Sequence, residues 1–328
     1  MQTQFIALSF FVSFGLTFAI IPFLLKYLKK KGIIGIDIHK PNKPEIPEMG
    51  GLAILAGLIL ASLLILFILG QYFQEILAFV CIILIAGFVG IYDDLKGLSP
   101  GKKAVILVFA IIPLLLFEVV TPRPLLPIIG RTRLTIIYWG ALLLAITVPA
   151  NAVNMLDVYN GSMPITCIIA SASLLICAII LDSITGILFC LLLLGALVAF
   201  LIFNKYPAKV FSGNVGSFTV GAAIGGIAVI GRLEIAAIIA LMPHIMNSFH
   251  ILASVGGLKG RTQLNKRPVT ILPDGKLAAN PDKEAPLTLT RLILARGALE
   301  EIDIVKILAI LSLFAAILAV ISVVITPV

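Results

Sequence analysis

Asn151, Asn154 and Asp157 recur at i, i+3 and i+6, and Asn160-Gly161 follows directly. A helical turn would carry the first three on roughly one face. Four carboxamide or carboxylate side chains within ten positions of an apolar chain are costly unless they bind something or meet water. Their oxygens are the hard donors that Mg²⁺ prefers, and Mn²⁺ takes a similar set. The alternative reading is interhelical hydrogen bonding by asparagine, common in membrane bundles.

Other elements add to this chemistry. Asp93-Asp94, followed by Lys96, Lys102 and Lys103, reads either as a solvated turn or as a site for a divalent cation or charged headgroup. Ser212-Gly213-Asn214-Val215-Gly216-Ser217 opens a predicted helix. Glycines there let a ligand approach the backbone, and a helix N-terminus offers N–H groups to phosphate. N-capping by Asn214 or Ser217 would explain the same residues. Lys266-Arg267 suits a pyrophosphate, although the prolines around it also fit a linker. His244 and His250 read as polar packing or headgroup contacts, and His39 sits in a basic loop that could touch a substrate.

The elements that must position these residues are membrane helices. The 328 residues are 60% hydrophobic and 12% charged, with mean hydropathy +1.17, which excludes an ordinary soluble domain. Apolar stretches near 4–26, 50–70, 76–92, 103–120, 134–152, 164–181, 184–203, 214–231, 233–252 and 304–326 are each compatible with a bilayer span. The expected fold is therefore all-α and polytopic, about ten transmembrane helices in a single membrane domain over 1–328, with a long loop over 253–303. Val269–Leu277, with Asp274-Gly275 at its centre, predicts a short β-hairpin in that loop. The first span lacks a basic leader and a small-residue cleavage site, so it reads as a retained helix. Cys81, Cys167, Cys177 and Cys190 fall in apolar spans without metal-binding spacing.

Loop charge predicts orientation. Of the 24 lysines and arginines, only Arg123, Arg131, Arg133 and Arg232 fall in one set of alternate loops. The positive-inside rule makes the other set cytoplasmic and both termini external. Asp93-Asp94, the 151–161 run, the 212–217 element and Lys266-Arg267 then all face the cytoplasm. The net charge of +8 needs no nucleic acid; orientation and anionic ligands or lipid headgroups account for it.

Taken together, Asp93-Asp94, Asn-x-x-Asn-x-x-Asp-x-x-Asn-Gly and Gly-Asn-x-Gly-Ser resemble the motifs of the polyprenyl-phosphate N-acetylhexosamine-1-phosphate transferases. The likeness spans nearly the whole chain, including Ile46-Pro47-Glu48-Met49-Gly50-Gly51 and Lys205–Phe211. Pro243, Asn247 and Asp274–Leu277 look closer to the dolichyl-phosphate branch. The His-rich loop of the bacterial phospho-MurNAc-pentapeptide translocase is absent.

The resemblance implies transfer of HexNAc-1-phosphate, GlcNAc-1-phosphate above all, from a UDP-sugar to a polyprenyl or dolichyl phosphate, releasing UMP. It implies Mg²⁺ at Asn154 and at Asn214, the latter a neutral or water-mediated ligand. Asp157, which has no matching carboxylate in the dolichol-type enzymes, is assigned to the metal from its place in this chain. Asp93 and Asp94 would position or deprotonate the lipid phosphate, and Lys102 would contact the diphosphate. Lys266 and Arg267 would clamp the sugar-phosphate. Glu48, Asn151, Asn160, Gly161 and Gly213 complete the expected substrate contacts. The family usually has a metal-binding Asp where this chain has Asn214, so Asp157 is expected to supply the displaced charge; the alternative is a catalytically impaired homologue. Compact loops favour an archaeal plasma membrane, and a homodimer stays open. The rival reading, a transporter, would place polar groups near span midplanes and often shows repeated halves; neither is seen.

Overall fold

The computed structural model describes residues 2–133, 135–257 and 266–327. Lys259 and Arg261, which belong to the basic loops counted above, lie outside the described residues. The helices are α1 (Gln2–Lys31), α2 (Gly51–Ile68), α3 (Phe73–Lys96), α4 (Pro100–Val108), α5 (Ile112–Leu116), α6 (Thr135–Ala145) and α7 (Thr147–Leu156). They continue with α8 (Ser162–Ile180), α9 (Ile184–Asn204), α10 (Gly213–Ile230), α11 (Glu234–Ala240), α12 (Met242–Val255), α13 (Leu289–Ile293) and α14 (Glu301–Val324).

Eight helical stretches among the described residues are long and apolar enough to cross a bilayer, and the bent pair α11–α12 raises this to nine. The chain is a multi-pass membrane protein. The fourth expected span, 103–120, is broken into α4, a 3-10 turn at Phe109–Ile111 and α5. Pro113 accounts for this: it lacks an N–H, and its ring crowds the carbonyl four residues earlier, that of Phe109. The same device divides Thr135–Leu156 into α6 and α7, because Pro149 stands four residues after Ala145. Pro243 opens α12 after a bend of 67°.

The centre of the bundle is α10, whose residues from Val215 to Ile230 are all buried. It packs on α3, α7, α2 and α9. A Cβ on Gly221 would lie 2.4 Å from the Pro149 carbonyl, and one on Gly225 2.3 Å from that of Ala145. Small residues let helix backbones approach this closely in a membrane, where dispersion rather than water expulsion drives packing. At the start of α10, a Cβ on Gly51 would meet the Gly216 Cα at 2.1 Å.

Short hairpins close the ends. Strands β1 (Ile34–Ile36) and β2 (Glu45–Pro47) pair after α1, and β3 (Leu125–Leu126) pairs with β4 (Gly130–Arg131) at the opposite end. The hairpin predicted in the last long loop is present as β5 (Val269–Ile271) and β6 (Leu277–Ala279), with Ile271 opposite Leu277. Gly275 supplies the turn at φ +83°. A small apolar core, including Leu156, Tyr159, Val269, Leu277 and Ile304, seats this hairpin against α7 and α14.

Helix α1 ends, and α14 begins, at the end of the bundle that carries the polar motifs. At the far end of α14, Thr326 Oγ1 accepts from the Ile128 N–H at 3.3 Å. The two chain ends therefore share the end away from the motifs.

Candidate active site

The site forms where α3 and α7 end and α10 begins. Gly213 adopts φ +70°, and a Cβ there would approach Asp94 Oδ2 to 2.7 Å. Without that Cβ, the Asp94 carboxylate reaches the first turn of α10. Its Oδ1 accepts from the Asn214 N–H at 2.8 Å and its Oδ2 from the Val215 N–H at 3.0 Å. These N–H groups lack intrahelical partners, and the helix dipole favours negative charge beside them. The backbone donors that the sequence offered to a phosphate are thus engaged by Asp94.

Asp93 is buried and committed differently. It accepts from the Leu98 N–H at 2.7 Å and pairs with Lys103, so it fixes the turn from α3 into α4. Lys102, expected to contact a diphosphate, is exposed and makes no described ion pair; Lys103 holds the place beside the aspartates. The two lysines are adjacent, and only helix phase distinguishes them.

Two residues of the 151–161 run reach the start of α10. The Asn154 Nδ2 donates to Asn214 Oδ1 at 2.7 Å and to Ser217 Oγ at 2.8 Å. Ser212 Oγ donates to Asp157. Asn151 instead donates back to the Thr147 carbonyl at 2.8 Å, a bond within its own helix. Asn160 and Gly161, expected to line a nucleotide pocket, are engaged internally. The Asn160 N–H donates to Glu301 Oε1 at 2.8 Å and its Nδ2 to Asp37 Oδ2 at 3.1 Å, while the Gly161 N–H donates to Asn204 Oδ1 at 3.1 Å.

Glu48 lies close enough to Asp94 for their charges to interact. Backbone bonds place the segment that carries it: the Phe211 N–H donates to the Pro47 carbonyl at 2.9 Å, and the Gly51 N–H to the Ser212 carbonyl at 2.8 Å. Lys266 pairs with Asp282 and with Glu284, which hold its amine above the usual lysine range. Arg267 is exposed, and its carbonyl accepts from Asn280 Nδ2 at 2.8 Å. No described contact joins either cation to the Asp94–Asn154–Asp157 group.

Sequence reading also passed over Asp37, Lys40 and Glu301. Lys40 pairs with Asp37 and with Glu301 at 3.0 Å, and all three are largely buried. Burial alone would lower the Lys40 pKa, but the two carboxylates outweigh it and raise the value. The available signal was the run Asp37-Ile38-His39-Lys40, read only as part of a basic loop.

Among the described residues no group of three or more His, Cys, Asp or Glu could hold a metal ion. Mg²⁺ does not require one: it is usually bound through one or two carboxylates, substrate phosphates and water. Asn154 Oδ1 accepts no hydrogen bond among the described residues. With the Asp157 carboxylate and the Asn214 carboxamide nearby, the donor set is all hard oxygen and fits Mg²⁺.

A multi-helix membrane protein with carboxylates and carboxamides gathered at one bundle end is the class that the fold and site define. Residues 76–232 match glycosyl transferase family 4. A Saccharolobus solfataricus protein provisionally named UDP-N-acetylglucosamine–dolichyl-phosphate N-acetylglucosaminephosphotransferase is 33% identical over 96% of this chain and 95% of its own length. A protein of the same provisional name from Sulfolobus acidocaldarius is 31% identical over 96% and 95%. The phospho-N-acetylmuramoyl-pentapeptide-transferase of Wolbachia pipientis is 32% identical over 69% of this chain and 74% of its own. The chain belongs to glycosyl transferase family 4.

Proposed function

We propose that this protein transfers GlcNAc-1-phosphate from UDP-GlcNAc to a polyprenyl phosphate of the dolichyl type, releasing UMP. The observation that carries this reading is the meeting of Asp94, Asn154, Asp157 and Asn214 around the first turn of α10. Near-full-length similarity to proteins named for this activity supports it.

The lipid phosphate is largely dianionic at neutral pH, since the second pKa of a phosphate monoester is about 6. The attacking oxygen therefore needs little general-base help. What the protein must do is hold two anions together in line, which is work for positioning and for fixed positive charge. Asp157, Asn154 and Asn214 would hold Mg²⁺, with Asp157 carrying the charge that Asn214 does not. When bound, the ion would offset charge building on the pyrophosphate. Asp94, held by two backbone N–H groups, orients the opening of α10 toward the acceptor phosphate. Asp93 holds Lys103, which takes the diphosphate-contacting role in place of Lys102.

In this reading the site faces the cytoplasm, where UDP-sugars are available, and both chain ends lie outside the cell membrane. The basic-loop bias supports that orientation. The test is purified protein with Mg²⁺, radiolabelled UDP-GlcNAc and dolichyl phosphate. Labelled lipid with matching UMP is the expected result; UMP without labelled lipid would mean hydrolysis, and the absence of both products would overturn the reading.

A further inference from the structure

Outside the group around α10 lies a second polar cluster that the proposed transfer does not itself use. Lys40 Nζ sits between the Asp37 and Glu301 carboxylates, the latter at 3.0 Å. Both carboxylates also accept from one residue, Asn160: its backbone N–H goes to Glu301 at 2.8 Å and its side-chain amide to Asp37 at 3.1 Å. Asp37 and Glu301 are 4% and 7% exposed. The Lys40 ammonium also lies over the Tyr206 ring, 4.7 Å from its centroid. The His39 ring packs on Tyr159, with centroids 4.8 Å apart. Three chain segments thus meet on one largely buried lysine, and a fourth, at Asn160, is held by its two carboxylate partners.

The cluster is tied to the site by a short covalent and hydrogen-bonded path. Asn160 is three residues beyond Asp157. The next N–H, that of Gly161, donates to Asn204 Oδ1, and the Asn204 Nδ2 donates to the Val210 carbonyl at 2.8 Å. Two residues on, Ser212 donates to Asp157. A ring therefore runs from Asn160 through Asn204, Val210 and Ser212 back to Asp157. Asp37 and Glu301 grip that ring at Asn160, from the β1–β2 loop and from the first residue of α14.

From this geometry we infer that Asp37, Lys40 and Glu301 are positioning residues for the transfer reaction, holding the Asn160 turn so that Asp157 faces the start of α10. The inference rests on the function proposed above. Buried ion pairs need full satisfaction: removing one partner leaves a charge uncompensated, whereas removing charge from both sides is far milder. That asymmetry makes the role testable. Lys40→Met leaves two carboxylates facing each other beside Asn160. Glu301→Gln keeps an acceptor for the Asn160 N–H, and in the Lys40→Met background it also removes one of those facing charges.

The experiment compares the full-length wild type with Lys40→Met, Glu301→Ala, Glu301→Gln and Lys40→Met/Glu301→Gln. It reads kcat and KM for UDP-GlcNAc, and amide hydrogen exchange over 157–162. Lys40→Met and Glu301→Ala should lower kcat at least ~10-fold with little change in KM, and should speed exchange at Asn160 and Gly161 while leaving α8 and α9 unchanged. Glu301→Gln should retain most of the wild-type kcat, and adding it to Lys40→Met should recover part of what that variant loses. Unchanged exchange in Lys40→Met and Glu301→Ala would overturn the inference, as would faster exchange with unchanged kcat, or uniform loss of folded protein without the double-variant recovery. Wild-type protein that makes no labelled lipid would defeat the functional reading alone, since exchange reads the coupling at Asn160 in either case.

Discussion

The backbone N–H of Asn214 donates to Asp94 Oδ1 at 2.8 Å. One carboxylate at the end of α3 thereby sets where α10 starts, and with it the position of the Asn214 side chain. Because that side chain accepts from Asn154 at 2.7 Å, α3, α7 and α10 converge on a single contact chain.

Asp94→Asn should separate shape from charge. The amide keeps one acceptor for the helix N-terminus but removes the anion that complements its dipole. Turnover should fall on the order of 10²-fold, the cost typical of removing one preorganised electrostatic group. Thermal unfolding should shift only slightly, whereas Asp94→Ala should cost a further ~1 kcal/mol through loss of the cap. Lipid-product assays and melting curves on the same preparations check both.

Lys102 and Lys103 should behave differently despite being neighbours. Lys103→Met strands the Asp93 carboxylate and should destabilise the protein by several kcal/mol, of the order found when one partner of a buried pair is removed. Lys102→Met changes an exposed side chain and should stay within about 0.5 kcal/mol. In a double-mutant cycle, Asp93→Asn/Lys103→Met should be milder than the sum of its singles. Additivity there, read by denaturant unfolding, would remove the pair from the account.

Asp157 and Asn214 should be exchangeable as the source of negative charge. Asp157→Asn should abolish Mg²⁺-dependent turnover, and adding Asn214→Asp should restore at least ~10-fold of it through coupling between adjacent sites. An aspartate at 214 can still accept from the Asn154 amide, so the variant should fold. Chelation should silence the wild type, with Mg²⁺ or Mn²⁺ restoring it. If Asp157→Asn alone kept full metal dependence, the displaced-charge idea would be wrong.

The Lys40 pair gives a pH dependence of known sign. Its pKa is raised above 10.5 in the folded protein, because the carboxylates outweigh the effect of burial. Its contribution to stability is then fully present below the unfolded value and disappears as pH rises through the folded one. The gap in melting temperature between wild type and Lys40→Met should be constant through neutral pH and narrow above pH 10.5. A gap that instead widened with rising pH would contradict the ion pair.

Much of the architecture was legible in order. Long apolar runs can only satisfy their backbone as helices in a bilayer, so nearly every span was readable from composition. The Asp274-Gly275 turn between β-forming residues marked a hairpin, and one is present. Hydropathy did not show where a proline interrupts a span by acting on a carbonyl four residues back, as Pro113 does on Phe109. Site residues were legible by type but not by commitment. Asn160 and Asn151 look equivalent to Asn154 in the sequence, yet one is held by Asp37 and Glu301 and the other bonds its own helix.

The sequence by itself determined a polytopic membrane bundle, a cluster of hard oxygen donors and the loops that carry them, because these follow from local composition and spacing. Only the tertiary structure decided which donors meet. Lys103 rather than Lys102 lies beside Asp93, Asp94 accepts from the Asn214 and Val215 N–H groups at the start of α10, and Lys40 pairs with Glu301, 261 positions away. Those outcomes depend on helix phase and on contacts between distant segments, and neither is encoded in the spacing of any one segment.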